Sequence, residues 1–304
     1  MATIDLHMHS NYSSDGEFAP GQLLEMCLAA GLTHAAIADH NSVRGIEAAI
    51  LAAAGTDLSI IPAIEMDCTF EGITFHLLGY GVDITAPIFA ELEHRLHKQE
   101  QDTSQALMDR VRQLVIDFDD EVIAALASDG VVTGEMIAEA ALLYDDKAEN
   151  PLLDPYRKGG VRSDNPFVNF FWDVCSRGKP AHVPMDYPPL SQAVEIVRAY
   201  HGVPILAHPG LQVRENAHLL GRILEVGVAG LEVFSSYHSQ EQARFYRQAV
   251  QSQHLLMTCG SDFHGKTKQS ITIGGIDAEG LEAAIITALI DAMAQSWRVL
   301  KNEQ

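Results

Sequence analysis

Positively charged residues are scarce in this sequence, and patterns typical of signal peptides and membrane spans are absent from it. Lysine and arginine number 20 against 41 aspartates and glutamates, which gives a formal net charge of −21 over 304 residues. An acidic surface repels nucleic-acid polymers and anionic membranes, so we expect neither as a partner. The sequence shows no basic, apolar leader and no run of about 20 apolar residues, so it predicts no signal peptide and no membrane span.

Cysteine is also rare, with four residues that are far apart and form no C-x-x-C pair, namely Cys27, Cys68, Cys175 and Cys259. This pattern predicts reduced cysteines that serve as packing residues, and hence a cytoplasmic protein. Apolar residues make up 47% and charged residues 20% of the chain. These values are typical of a globular protein large enough to bury a sizeable core.

Short apolar strands alternate with amphipathic helices in the first 85 residues. Strands are predicted at residues 3–8, 34–38, 58–65 and 73–82, with helices at 20–31 and 43–54. The alternation returns after residue 188, with strands predicted at 203–207, 230–234 and 255–258 and helices at 190–200, 214–226, 240–252 and 281–297. This order favours a parallel α/β sheet or barrel built from residues 1–85 and 188–304.

The intervening residues 86–187 break the alternation. Long helical patterns cover residues 88–118 and 132–144, and a shorter one covers 167–172. Residues 145–165 are rich in Asp, Asn, Gly and Pro, which predicts a long loop. We therefore interpret residues 86–187 as an inserted, mainly helical subdomain.

Potential metal ligands follow almost every predicted strand. His7 and His9 lie two residues apart, so they face the same side of their strand. Alone they would more often be solvated, but other strands end in ligands too: His40, Glu65, His76, His208, Asp262 and His264. The carboxyl ends of barrel strands meet at one face, and clustered imidazoles and carboxylates destabilise a fold unless a cation offsets them. The pattern predicts a zinc, manganese or iron centre.

Six short motifs, in this order, resemble the PHP (polymerase and histidinol phosphatase) family. They are Asp5-Leu6-His7-Met8-His9-Ser10, Ala38-Asp39-His40, Ile64-Glu65, His76-Leu77-Leu78-Gly79-Tyr80, Ala207-His208-Pro209-Gly210 and Gly260-Ser261-Asp262-Phe263-His264. The resemblance covers residues 1–83 and about 190–275. It implies a distorted, TIM-like (β/α)7 barrel that holds two or three divalent metal ions.

The resemblance also implies three ligand sets. The first contains His7, His9, Glu65 and Asp262, the second Glu65, His76 and His208, and the third Asp15, His40 and His264. Glu65 would bridge two ions. Asp15 lies in a loop whose length varies among such proteins.

Such a centre activates water to hydroxide near neutral pH and neutralises charge on a phosphate during in-line attack. We expect Asp39 to orient a ligand. His238 lies just past a strand end, where it is a candidate donor to the phosphate or the leaving oxygen; an ordinary surface histidine is the alternative. Glu232 faces the same way if its strand ends at Phe234, and an outward orientation stays open.

The helical insertion resembles small phosphoesterases that act on nucleoside 3′,5′-bisphosphates, in which it caps the active site. The expected function is therefore metal-dependent hydrolysis of a phosphate monoester, releasing a nucleoside monophosphate. Arg157, Lys158 and Arg162 are candidates for holding a second phosphate, although a solvated loop is an equal alternative. Rival functions are a 5′-3′ exonuclease on short oligonucleotides, a histidinol-phosphate-type phosphatase and a non-catalytic metal-binding accessory module.

One motif is misleading. Residues 260–267 match the phosphate-binding pattern G-x-x-x-x-G-K-[ST] and follow a strand. The pattern requires a helix from the lysine onward, but residues 269–275 are β-branched and glycine-rich. We therefore predict no nucleotide loop here, although Lys266 can still approach a phosphate from the rim.

Overall fold

The computed structural model describes residues 3–127 and 129–302. The strands are β1 Ile4–Met8, β2 His34–Ile37, β3 Ser59–Ile60, β4 Ala63–Phe70, β5 Ile73–Tyr80, β6 Val203–Leu206, β7 Gly230–Ser235 and β8 Leu256–Gly260. The α-helices are α1 Pro20–Ala29, α2 Arg44–Ala53, α3 Pro87–Gln113, α4 Asp120–Leu126, α5 Gly134–Tyr144, α6 Pro166–Phe170, α7 Leu190–Ala199, α8 Ala217–Leu224, α9 Gln240–Ser252 and α10 Glu282–Asn302.

The strands form two sheets in a mixed α/β fold. One sheet has the parallel order β1-β2-β3, and the other has the order β4-β5-β6-β7-β8. In the second sheet β6, β7 and β8 are parallel, but β5 runs antiparallel to both β4 and β6. The expectation of a wholly parallel arrangement is therefore wrong for β5. Glu71 and Gly72 form a two-residue hairpin with φ of 51° and 75°, the conformation that favours tight strand reversal.

The predicted strand at residues 58–65 is two strands in different sheets. β3 covers two residues beside β2, and β4 begins at Ala63 after Pro62. Proline has no N–H to donate to a ladder, so it separates the two segments. This break lets β4 start the second sheet and carry Glu65 and Asp67 on one face.

The two sheets meet at both edges through isolated backbone bonds. Next to β1, the Asp262 N–H donates to the His7 carbonyl at 2.7 Å, and the His9 N–H donates to the Phe263 carbonyl at 2.9 Å. Next to β2, the Glu65 N–H donates to the Asp39 carbonyl at 3.1 Å. A continuous barrel ladder is not confirmed, but these bridges bring the predicted ligands of both sheets to one place.

Of the three apolar cores among the described residues, two are connected by α3. Phe89 and Leu92 in its first half pack with the strands, α7 and α10, whereas Val111 near its end packs with Ile137 and Phe170 of the insertion. The insertion thus has its own core beside the ligand-bearing edge of the sheets.

All four cysteines are unpaired and buried, as predicted. Among the described residues, no helix combines the length and the apolar composition that crossing a membrane requires.

Candidate metal centre

Backbone geometry at the strand ends positions the candidate ligands. The chain is left-handed at Asn41, His208 and Asp262, with φ of 55°, 23° and 57°. Strained conformations of this kind in residues other than glycine cluster at functional sites. β8 can pass close to β1 because residue 260 is glycine: a Cβ there would lie 2.2 Å from the His7 Cβ.

The first predicted set surrounds one oxygen of Glu65. Glu65 Oε2 lies 3.2 Å from His7 Nε2 and 3.1 Å from His9 Nε2. Asp262 Oδ1 lies 3.3 Å and 3.1 Å from the same two nitrogens. All four residues are buried.

The second predicted set uses the other oxygen of Glu65. Glu65 Oε1 lies 3.0 Å from His76 Nδ1 and 3.1 Å from His208 Nε2. The structure therefore places Glu65 between two ligand sets, as the predicted bridging role requires.

The third set lies toward the cavity. Asp15 Oδ2 lies 3.2 Å from His264 Nε2 and 4.0 Å from His40 Nε2. His9 joins these residues, because the ligand atoms of all four lie within 4.8 Å of one another. The structure thus brings together all nine predicted ligands and gives His9 a place in two sets.

The donor atoms fit divalent ions. Atoms bound about 2.1 Å from one ion are separated by about 3.0 Å in octahedral and about 3.4 Å in tetrahedral coordination, and the distances in the first two sets lie in this range. Several inward atoms are buried without a hydrogen-bond partner in the described chain: Asp15 Oδ1, His40 Nδ1, Glu65 Oε2, Asp262 Oδ1 and His264 Nε2. Unsatisfied buried polar atoms are costly, and a shared cation would satisfy them.

The electrostatics suit metal binding. Burial would raise the pKa of Glu65, but the neighbouring His7 and His76 hold that pKa well below its usual value. Burial, together with His264 and His40, lowers the pKa of His9 to about 3. Glu65 is therefore anionic and His9 neutral at pH 7, and these are the forms that bind metals. Against the effect of burial, Glu65 raises the pKa of His76 to about 9, so an ion bound there has to displace a proton.

A second layer of residues orients the imidazoles through their outward nitrogens. His7 Nδ1 lies 3.0 Å from Glu232 Oε1, and the other Glu232 oxygen accepts the backbone N–H of His208 at 2.8 Å. Glu232 thus faces inward, which resolves the alternative left open by the sequence. His264 Nδ1 lies 2.9 Å from the Asp262 carbonyl. Acceptors in these positions favour tautomers whose lone pair points to the centre.

Asp39 contacts the centre indirectly. It accepts hydrogen bonds from the Ser10 N–H at 2.6 Å and the Ser13 hydroxyl at 3.2 Å. The Ser13 oxygen lies 3.0 Å from His9 Nδ1 and accepts the His40 N–H at 2.9 Å. Burial raises the pKa of Asp39 to about 6. Ser13 thus links Asp39 to His9, and the orienting role of Asp39 stays a prediction.

Both ring nitrogens of His238 are occupied by backbone groups. Nδ1 lies 2.8 Å from the Val233 carbonyl, and Nε2 accepts the Gly210 N–H at 2.9 Å. Burial lowers the pKa of this imidazole, which favours its neutral form. His238 joins the segments after β6 and β7 and presents no free N–H for the predicted role as a phosphate donor.

A cavity of about 710 Å³ separates the strand ends from the insertion. Asp15 and His40 line one side, and the insertion supplies Glu100, Glu135 and Glu139. The predicted phosphate-binding residues lie elsewhere. Arg157 pairs with Asp145 at 2.5 Å, Arg162 pairs with Asp173 at 2.9 Å, and Lys158 is exposed.

The misleading phosphate-loop motif does not form such a loop. Residues Gly265–Lys268 make one short 3-10 turn, and Lys266 Nζ lies 2.7 Å from Glu139 on α5. This confirms the prediction against a nucleotide loop.

Sequence reasoning missed three polar neighbours of the ligands. Asp67 Oδ1 lies 3.2 Å from His76 Nε2, and its position two residues after Glu65 on β4 was a usable signal. The Tyr237 hydroxyl donates to Asp262 Oδ2 at 2.7 Å, and Lys268 Nζ contacts the same oxygen at 2.5 Å. No local pattern points to these two residues, because only the folded chain brings them to Asp262.

A buried cluster of histidines and carboxylates, spread over strand ends and reached from a cavity through Asp15 and His40, is typical of a metal-dependent hydrolase. Residues 5–146 match the model of the PHP domain. Over these 142 of the 304 residues the chain is similar to the PHP domain, whose family consists of metal-dependent phosphoesterases.

Curated relatives with different substrates resemble this chain. It is 26% identical over 284 residues to a 3′,5′-nucleoside bisphosphate phosphatase of Chromobacterium violaceum, covering 90% of this chain and 91% of the relative. It is 25% identical over 265 residues to the 5′-3′ exoribonuclease Rnm of Escherichia coli, covering 86% and 84%. It is 29% identical over 265 residues to a phosphoribosyl 1,2-cyclic phosphate 1,2-diphosphodiesterase of Eggerthella lenta, covering 86% and 94%.

Solved structures share the fold. A structure called an amidohydrolase from Chromobacterium violaceum, with bound sulfate, superposes with a TM-score of 0.75 at 22% identity over 91% of each chain. A proposed metal-dependent phosphoesterase from Bifidobacterium adolescentis gives a TM-score of 0.74 at 22% identity, covering 95% of this chain and 96% of that one.

Proposed function

We propose that this protein hydrolyses a phosphate monoester of a small molecule at the three ligand sets. The observation that carries the proposal is the convergence of buried, unpartnered ligand atoms around Glu65, behind Asp15 and His40 at the wall of one cavity. Ordinary packing offers no reason to gather these atoms, whereas a multinuclear metal centre does.

The proposed ions are two or three of manganese, zinc or iron. When bound, such ions polarise a phosphoryl oxygen and make water acidic enough to attack at neutral pH. The chain holds them through His7, His9, Asp15, His40, Glu65, His76, His208, Asp262 and His264. Asp39, Ser13 and Glu232 keep these ligands oriented, and the insertion forms the opposite side of the cavity.

A nucleoside 3′,5′-bisphosphate is the first substrate candidate, with a nucleoside monophosphate as product. The relative from Chromobacterium violaceum supports it, and a volume of about 710 Å³ suits a ligand of that size. The described lining contains two cationic side chains, and both are paired: Arg44 with Glu93 at 3.1 Å and Lys266 with Glu139 at 2.7 Å. To bind Arg44 or Lys266, a second phosphate would have to displace the carboxylate that is paired with it.

A 5′-3′ exoribonuclease acting on short oligonucleotides is the second candidate. Its support is the resemblance to Rnm, and the net charge of −21 disfavours long RNA. A histidinol-phosphate-type phosphatase remains a third candidate. The complete ligand set argues against a non-catalytic accessory module.

We also propose that the seven strands β1, β2 and β4–β8 act as one distorted barrel. The isolated bridges at both sheet edges support this arrangement. The four free, buried cysteines suit the predicted cytoplasmic location.

Phosphate release tests the function. The purified protein, with and without added Mn²⁺, is given adenosine 3′,5′-bisphosphate, a sugar monophosphate, histidinol phosphate and an end-labelled tetranucleotide. We expect Mn²⁺-dependent release that is fastest with the bisphosphate. Release from histidinol phosphate alone, or shortening of the oligonucleotide alone, would reassign the substrate. No turnover of any compound by the metal-loaded protein would contradict the proposal.

A further inference from the structure

The His76 imidazole lies between two carboxylates. Its Nδ1 is 3.0 Å from Glu65 Oε1, and its Nε2 is 3.2 Å from Asp67 Oδ1. A neutral imidazole has one N–H and one lone pair. Only one of these nitrogens can therefore bind an ion, and the other must donate a hydrogen bond.

The surroundings indicate which nitrogen faces the ion. His76 Nδ1 shares Glu65 Oε1 with His208 Nε2, which lies 3.1 Å from that oxygen. His40, Asp67 and His76 are also close enough to form a set. That set would need a second lone pair from His76, whose Nδ1 already belongs to the set with Glu65. Asp67 is therefore better placed as an acceptor than as a ligand.

Asp67 is itself fixed by Asn41. The Asn41 Nδ2 donates to Asp67 Oδ2 at 2.7 Å, and the Asp67 N–H donates to Asn41 Oδ1 at 2.9 Å. The Asn41 N–H donates to the Glu65 carbonyl at 2.7 Å, and both Asn41 and Asp67 are buried. Both oxygens of Asp67 are thus committed as acceptors, one toward Asn41 and one toward His76.

We propose that Asp67 is a positioning residue that accepts the Nε2–H of His76 and so reserves the Nδ1 lone pair for the ion held with Glu65 and His208. This inference rests on the proposed metal centre. It assigns Asn41 a part as well, because Asn41 fixes the carboxylate in the orientation that accepts from His76. Second-layer contacts of this type commonly change metal affinity by about 10–100-fold.

A pair of substitutions separates this role from simple packing. Asp67→Asn leaves one acceptor oxygen where two are needed, so it loses the bond to either Asn41 or His76. Combining it with Asn41→Asp exchanges the partners: residue 67 then donates its amide to residue 41 and keeps its oxygen for His76. Asp57→Asn removes the same charge from an exposed position and is the matched control.

Titration with Mn²⁺, followed by the paramagnetic resonance signal of the free ion, measures each affinity. We expect Asp67→Asn to weaken one bound ion by about 10–100-fold, and the double variant to recover to within about threefold. Unchanged affinity in Asp67→Asn, or no recovery in the double variant, would overturn the positioning role while leaving the centre intact. A wild-type protein that binds no divalent ion would overturn both.

The wild-type protein provides a test that does not depend on how the variants fold. In Zn²⁺-loaded protein, long-range ¹H–¹⁵N spectra identify the nitrogen of His76 that carries the proton. We expect a protonated Nε2 and a zinc-bound Nδ1. A zinc-bound Nε2 would overturn the proposal and make Asp67 a neighbouring ligand.

Discussion

The two walls of the cavity are both rich in histidine and carboxylate, yet they differ in how those groups are satisfied. On the strand-end wall, Asp15 and His40 line the cavity. Behind them the Nε2 atoms of His7 and His9 lie 3.1–3.3 Å from Glu65 and Asp262 oxygens that have no hydrogen-bond partner in the described chain. On the insertion wall, Glu139 is paired with Lys266 at 2.7 Å.

This difference shows that residue type alone does not define a metal site. Glu100 and Glu135, on the insertion wall, form no ion pair among the described residues, and burial raises their pKa values to about 8 and about 7. Protonation of these two side chains removes the free-energy cost of burying a negative charge. Against the effect of burial, the imidazoles hold the pKa of Glu65 well below its usual value, and Lys268 with the imidazoles does the same for Asp262. We infer that the cation belongs on the strand-end wall.

The largest expected effect follows from removing the shared carboxylate. Glu65→Gln takes away the anionic oxygens between two ligand sets, so we expect phosphoesterase activity to fall by more than about 100-fold, since even second-layer changes cost 10–100-fold. Metal content per protein chain should fall as well. Glu25→Gln, at an exposed position of α1, is the control and should leave both unchanged. Full metal occupancy in Glu65→Gln would show that this carboxylate does not hold the ions, and it would contradict the assignment of the cations to the strand-end wall.

Metal removal should destabilise the fold. A ligand that binds only the native state stabilises it by about 3–4 kcal/mol at 100–1,000 times its dissociation constant. We expect chelation to lower the free energy of unfolding by about this amount for each tight ion, as measured by urea titration, and Mn²⁺ to restore it. A chelated protein as stable as the metal-loaded one would mean that the strand-end cluster is satisfied without a cation.

The insertion wall can be tested by the contribution of Glu135 to the pH dependence of folding stability. Its side chain is only 8% exposed, and burial raises its pKa from 4.5 to about 7. Between these values the folded state binds more protons than the unfolded state, so stability falls as the pH rises through this window. In chelator, Glu135→Gln should be neutral near pH 4 and stabilising at pH 8, on the order of 3 kcal/mol.

Urea unfolding at the two pH values measures this effect, and Glu91→Gln, exposed on α3, is the control. An equal change in stability at both pH values would show that Glu135 does not titrate as described.

The smallest effect is expected from the basic loop. Because Arg157 and Arg162 are paired with Asp145 and Asp173 away from the cavity lining, replacing Arg157, Lys158 and Arg162 together by Gln should change the KM for a bisphosphate less than about twofold. Lys266→Met, within the lining, is the comparison variant and should have the larger effect. A large rise in KM for the triple variant would support the sequence prediction that this loop grips a second phosphate.

The ligands were the most predictable part of the site. His9, His40 and His208 each follow a short apolar strand, and the carboxyl ends of strands in such an α/β fold converge on one face. Asp67 could have been found by the same reasoning, since it shares a face with Glu65. The partners of Arg157 and Arg162 could not, because their pairing depends on the fold of the insertion.

The alternation of strands and helices could be predicted from the sequence, but the directions of the strands were not predicted correctly. β5 is antiparallel because two residues, Glu71 and Gly72, are too few for a crossover and suffice for a hairpin. Pro62 divides the predicted third strand between two sheets. Both signals are local, but which sheet each strand joins depends on contacts distant in sequence, such as the bond from Asp262 to His7.

The most direct test of the metal centre is anomalous diffraction from crystals of the protein soaked in Mn²⁺. We predict two or three peaks, each about 2.2 Å from atoms of the ligand sets, with Glu65 between two of them. Peaks confined to the insertion wall, beside Glu100 and Glu135, or none at the strand ends, would contradict the account.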